Sequence, residues 1–187
     1  MKKLGFAATA LLLAFTLSGC NKLTQYTLNE QEVNEYLQKH NDYQKQLGIP
    51  GVVDAHIVLT DLSSQIGRAE PGKVTLSGNA KVDITSLLGD QTADLKLTLK
   101  AQPVFDKEQG AIYLKDMQLV DYRVQPEKMQ AVMDTLSPYL NQSLKSYFAQ
   151  KPAYILNADN STAEALAKKM AKGIEIKPGQ IMILFTD

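Results

Sequence analysis

Several absences narrow the reading at once. The chain of 187 residues has one cysteine, no tryptophan and two histidines. A single cysteine excludes any intramolecular disulfide and any cysteine-rich metal centre. The histidines, His40 and His56, lie in no His-x-x-x-His spacing, so each reads as a structural or surface residue rather than a metal ligand. No Gly-x-Ser-x-Gly elbow is present, and Gly67, Gly72 and Gly78 lack the spacing of a phosphate-binding loop. Charge of neither sign is in excess: 20 Lys and Arg balance 20 Asp and Glu. Without a basic patch, nucleic acid is not an expected partner. No internal repeat or low-complexity linker divides the chain. The expectation is a protein with no catalytic constellation, no metal and no cofactor.

What is present begins at the N-terminus. Lys2 and Lys3 form a short positive region, and Leu4 to Leu17 an almost unbroken apolar run. Spanning a bilayer takes about 20 apolar residues, so the run fits the hydrophobic region of an export signal better than a membrane helix. It ends in Leu17-Ser18-Gly19-Cys20, the pattern of a lipoprotein processing site: small residues at the scissile bond, then the thiol that takes the diacylglyceryl group. Residues 1–19 are therefore expected to be a signal peptide and Cys20 the lipid-bearing first residue of the mature chain. Two acyl chains anchor stably where one does not, and a mature lipoprotein cysteine carries three. Asn21 follows. By analogy with Gram-negative lipoproteins, where Asp at this place retains the protein in the inner membrane, Asn21 points to the periplasmic face of the outer membrane. Residues 20–28 read as lipidated cysteine and polar tether, and residues 29–187 as a single periplasmic α+β domain.

Within that domain, Asn29 caps a helix expected from Glu30 to Leu47, with Val33, Tyr36, Leu37, His40, Tyr43 and Leu47 at helical spacing and Gly48 and Pro50 ending it. Period-two alternation follows over Val53–Leu59, Val74–Ile84 and Ala93–Ala101, which predicts antiparallel strands with one apolar and one solvated face. A fourth strand, Ala111–Val124, follows the Asp106–Gly110 turn and breaks alternation at Asp116-Met117, where a bulge is expected. Pro126 opens a long helix whose stripe runs through Met129, Met133, Leu136 and Leu140, kinked or split at Ser137 by Pro138. A short strand at Ala153–Leu156, a helix capped by Ser161 and Glu164, and a hairpin from Ile174 to Phe185 complete the chain.

Six stretches resemble the YceB-like lipoprotein family of Gram-negative bacteria, a domain of unknown function. They are Cys20–Thr27, PGVVDAHIVLT from Pro50, SQIGR from Ser64, PVFDKEQGAIYLKD from Pro103, VQPEKMQ from Val124 and AKKMAKGIEIKPGQ from Ala167. The resemblance implies a fold similar to tubular lipid-binding (TULIP-like) proteins, a long curved antiparallel sheet wrapped round a long helix. It supplies no catalytic residue.

Two functions are consistent with this reading. The first is binding of a lipid or other elongated hydrophobic molecule in a groove between sheet and helix. Its candidate lining is Val74, Leu76, Ala80, Val82 and Ile84 on one strand, Ala93, Leu95, Leu97 and Leu99 on the next, and Met129, Met133, Leu136 and Leu140 on the helix. Small inward residues leave room and methionines adapt to a variable ligand, although each residue taken singly is also an ordinary core residue. The hairpin tip Ser86-Leu87-Leu88-Gly89-Asp90 would flank the groove mouth, touch the bilayer or fold back as a core cap. The second function is a scaffold that contacts an envelope protein partner. Its signs would be a filled core and an exposed apolar patch.

Overall fold

The computed structural model describes residues 24–87 and 89–186. Residues 1–19, expected to be the signal peptide, and Cys20, Asn21 and Leu88 lie outside the described residues. In chain order the elements are β1 (Gln25–Asn29), α1 (Glu30–Lys39), β2 (Gln44–Ile49), β3 (Val53–Ile66), β4 (Val74–Ser86), β5 (Gly89–Asp106) and β6 (Ala111–Gln125). A 3-10 turn (Glu127–Met129) then leads into α2 (Gln130–Gln150), followed by β7 (Tyr154–Ile155), α3 (Thr162–Met170), β8 (Gly173–Lys177) and β9 (Gln180–Leu184). β2 to β7 form one antiparallel sheet in sequence order, and β1, β9 and β8 form a second. The fold is α+β, a long antiparallel sheet on one long helix, as expected.

The sheet curls round α2, and the hydrogen bonds show how. Along one flank Tyr122 bonds Asp134, the Leu119 amide donates to Asn141 Oδ1 at 2.7 Å, and Lys115 Nζ donates to the Ala149 carbonyl at 3.2 Å. Residues 134 to 149 of helix rise about 22 Å and residues 122 to 115 of strand about 23 Å, so α2 runs antiparallel along β6 in matched lengths. On the other flank Tyr43 donates to Ser143 Oγ at 2.9 Å, and Tyr147 and Lys151 both bond Asp42. In a flat sheet β2 and β6 would stand about 19 Å apart, four spacings of about 4.8 Å. A helix is only about 10–12 Å wide. One helix touches both strands because the sheet bends round it.

Pro138 does not split α2, which is unbroken from Gln130 to Gln150. Proline leaves the carbonyl four residues back, that of Asp134, without its helical donor. Ser137 Oγ donates to that carbonyl at 3.0 Å, supplying the missing bond. The expected bulge is found: Lys100 faces Gln118 and Gln102 faces Lys115, so Ala101 opposes Asp116 and Met117, and Asp116 takes a positive φ of 50°.

Two expectations are corrected. The first helix ends at Lys39 rather than Leu47, and Gln44–Ile49 is a strand paired with β3. Tyr43 and Leu47 are four residues apart, a spacing that fits one helix face and one strand face equally. Tertiary bonds decide: Asn41 Nδ2 donates to the Leu59 carbonyl at 3.0 Å, and the Leu59 amide to the Tyr43 carbonyl at 3.1 Å. The polar tether is also shorter than expected, because Gln25–Asn29 pairs with Gln180–Leu184 as β1.

Helix α1 closes the edge of β3 that β2 leaves uncovered. Asn34 bonds the amide, hydroxyl and carbonyl of Ser64, and Glu30 accepts from the Ile66 amide at 2.8 Å and from Arg68 at 3.0 Å. An exposed edge would otherwise present those groups to another chain.

Candidate functional site

The thirteen proposed lining residues sit together but line no open groove. Val74, Leu76, Ala80, Val82, Ile84, Ala93, Leu95, Leu97, Leu99, Met129, Met133, Leu136 and Leu140 all belong to the buried core, none more than 5% exposed. Among the described residues no buried side-chain polar atom lacks a hydrogen bond. All thirteen belong to one hydrophobic cluster between the central strands and α2. Leu97 alone of the thirteen also borders a cavity, a polar one with Asp61, Lys96, Asp121 and Arg123.

Space opens instead along β2, in the segment expected to be helical. One cleft of about 520 Å³ lies at the seam between β2 and α2. Tyr43, Gln44, Lys45 and Leu47 line one wall, and Tyr139, Gln142, Ser143, Ser146, Tyr147 and Gln150 the other. A second cleft of about 500 Å³ lies at the end of the sheet, lined by residues 46–54 of the β2–β3 hairpin and by Thr85, Ser86 and Leu87. Leu47 borders both, and the two clefts succeed one another along β2 from the seam to the sheet end, together named the trough.

Both ends of the trough are mixed: Lys45, Gln142 and Ser146 stand beside tyrosines at the seam, and Leu47, Val52, Val53 and Leu87 beside Gln46, Asp54 and Thr85 at the sheet end. At the seam, burial raises the Tyr43 hydroxyl above its ordinary value, partly offset by Ser143. Burial and the Asp42 carboxylate raise Tyr147 further. Both hydroxyls therefore remain donors at neutral pH. Tyr139 stands half exposed on the rim. At the sheet end Leu87 is 86% exposed and Val52 55%. Leu87 occupies the two-residue turn between the paired Ser86 and Gly89, where a polar residue would cost nothing. Gly48 keeps this cleft narrow at its base: a Cβ there would lie 2.5 Å from the Val53 carbonyl oxygen, so any side chain would force the hairpin apart.

The remaining sequence candidates are distributed elsewhere. His40 is exposed and stacks on Tyr36 with ring centroids 4.0 Å apart. His56 lies on the outer face of β3 with Nδ1 3.9 Å from Asp83. No group of three or more His, Cys, Asp or Glu suited to a metal occurs among the described residues. No helix among them is long and apolar enough to cross a membrane.

Residues 28–180 match the family model described as "Protein of unknown function (DUF1439)". The chain belongs to this family. DUF1439 relatives named "Uncharacterized lipoprotein YceB" are 64% identical in Escherichia coli K12 and 63% identical in Salmonella typhimurium, each over all 187 residues and the full length of both chains. A crystal structure of lipopolysaccharide binding protein is similar at a TM-score of 0.36 and 11% identity. That match covers 83% of this chain and 45% of the other, so this DUF1439 chain spans less than half the length of that protein.

Proposed function

We propose that this DUF1439 protein is a non-catalytic, lipid-anchored envelope protein that holds a single amphiphile in the trough along β2. The observation that carries the reading is the shared border of the two clefts at Leu47, and we take them together as one elongated site of mixed polar and apolar lining. Each cleft falls in the range of about 300–1,000 Å³ usual for small-molecule sites. From Tyr43 to Ile49 the trough follows six residue steps, about 20 Å if fully extended, before the chain reverses at the Ile49–Val53 turn. That length suits a chain-like ligand better than a compact one. An acyl chain would lie against Leu47, Ile49, Val53 and Leu87, and a polar headgroup beside Lys45, Gln142 and Ser146. The thirteen core residues hold the scaffold that positions this trough.

The test is mass spectrometry of organic extracts from protein exported as Cys20→Ala, so that no covalent lipid confuses the readout. A defined amphiphile should co-purify, and Leu87→Asp with Val52→Asp should remove it while the protein stays folded. An extract free of lipid, from protein that refolds and still binds no added phospholipid, would overturn the reading. It would favour contact with an envelope protein, which the filled core and the exposed Leu87 and Val52 also suit.

The anchor is proposed on the processing site, with the protein on the periplasmic face of the outer membrane. Cys20→Ala should abolish incorporation of an acyl analogue, and label retained in the variant would refute lipidation at Cys20. Asn21→Asp should shift the protein to the inner membrane on fractionation. Wild-type protein already in the inner membrane would refute the sorting.

A further inference from the structure

A further cavity, sharing no lining residue with the trough, lies against α1. The trough ends at the Ile49–Val53 and Ser86–Gly89 turns. The other end of β3 is fixed to the small sheet, where the Gly179 amide donates to the Ile66 carbonyl at 2.7 Å and the Glu30 amide to the Gly179 carbonyl at 3.0 Å. Here β1, α1, β7, the loop after it and α3 converge on a cleft of about 600 Å³. Three of the eight tyrosines, Tyr26, Tyr36 and Tyr154, line it from segments far apart in sequence.

The cleft is a built site rather than a dent in the surface. At its base Glu164 is 2% exposed and accepts from Tyr154 at 3.0 Å and from the Asn157 amide at 2.9 Å. A carboxylate this buried is costly unless it is hydrogen-bonded, and here it is held by donors. The Ser161-x-x-Glu164 pattern predicts a carboxylate turned back to its own helix cap, yet Glu164 is directed away from the cap toward β7. Above it the Tyr36 ring lies 5.2 Å from Tyr154. The Tyr26 hydroxyl is pushed up to about 12 by burial, then by Glu32 and Glu164, and so remains a donor.

The rim carries both signs of charge. Glu32 and Glu35 face the cleft from α1, and so do Lys39 and Lys168. Neither lysine makes an ion pair within 4 Å among the described residues. Such a cleft suits neither a bare anion nor a bare cation. It gathers hydroxyl donors, carboxylate and amide acceptors and aromatic rings in one lining, which is the complement of a neutral polyhydroxylated ring.

We infer that this cleft binds a saccharide, the tyrosines contacting the sugar rings and the rim carboxylates accepting from their hydroxyls. The inference stands on different residues from the proposed amphiphile trough and does not depend on it.

The test titrates the full mature chain, produced as Cys20→Ala, with maltotetraose, with an N-acetylglucosamine tetramer and with phosphoethanolamine as a zwitterionic control. Binding is followed by amide chemical shifts and by tyrosine emission, which no tryptophan obscures. At least one tetrasaccharide should shift the amides of Tyr36, Tyr154 and Asn157. Glu35→Gln, an exposed change that leaves the fold intact, should weaken that binding about tenfold, the scale of one lost charge-assisted hydrogen bond. Tyr26→Phe should weaken it less, and Leu87→Asp not at all. Saturation with neither sugar, shifts produced by phosphoethanolamine instead, or sugar binding unchanged in Glu35→Gln would each overturn the inference.

Discussion

Strands β2 and β4 lie in one sheet and share β3 as a neighbour, yet they differ in kind. β4 alternates over thirteen residues and buries its inward side chains from Val74 to Ile84 in the core, reaching the trough only with Thr85 and Ser86 at its end. β2 has six residues, buries Leu47 alone, and spends the rest on the walls of two clefts. A strand with a complete pattern has its side chains committed to packing. A strand with a broken pattern keeps some of them free to meet a ligand.

The largest test of this contrast is Leu76→Ala in β4. Leu76 is fully buried, so the truncation should cost about 2–5 kcal/mol through lost transfer energy and the cavity left behind. Urea unfolding measures it, and binding in the trough should be unchanged. A cost well under 1 kcal/mol would mean that the sheet interior is looser than described.

Overpacking probes the same interior from the other side. Ala80→Phe pushes a ring into a filled space and should cost about 1–3 kcal/mol. No loss of stability, with new or lost lipid in the extract, would restore the groove between sheet and helix. Asn34→Ala tests the guarded edge of β3. It strips partners from the Ser64 amide and carbonyl and should cost about 1–3 kcal/mol, also by urea unfolding.

Changes in β2 and its turns should be quieter for stability. Leu87→Asp should stay within about 0.5 kcal/mol of wild type, as exposed substitutions usually do, and should register only as lost amphiphile. A small effect is also expected at the latch between α2 and the chain entering β2. The Tyr147 hydroxyl and Lys151 hold the Asp42 carboxyl below its usual value. The stabilisation is therefore complete above about pH 4, the unfolded value, and fades as the pH falls through the lower folded value. Asp42 is largely exposed, so Asp42→Asn should cost under about 1 kcal/mol at neutral pH. Thermal melts of the two proteins should converge in acid.

The same contrast explains what the sequence made legible. The alternation of β4 and β5, the bulge at Asp116-Met117 and the turn at Asp106–Gly110 were readable because local pattern and tertiary fold agree there. In the turn, Asp106 accepts from two amides and Gly110 takes a positive φ of 62°. Tyr43 and Leu47 were misread because their spacing serves two structures. Only contacts with Leu59, fixed far along the chain, choose the strand. The Ser137 bond that carries α2 past Pro138 is local, but it depends on one rotamer and leaves no periodic trace. The trough was hidden for the same reason as β2. Local rules tend to fail at sites whose residues serve something other than packing. The tyrosine cleft was harder still, since Tyr26, Tyr36, Tyr154 and Glu164 come from four elements with no common motif.

The clasp of Asn34 and Glu30 on Ser64 and Ile66 has a consequence for the order of assembly. Helix α1 precedes β3 in the chain. Wherever the polypeptide is delivered N-terminus first, its guard has emerged before the strand edge it guards. Ser64 and Ile66 then find a partner within their own molecule about thirty residues behind them, at the small loop-closure cost of so short a separation. Two newly delivered copies have correspondingly little time to join edge to edge. The guard of this strand edge thus comes from within the same chain, and a helix of ten residues is enough to supply it.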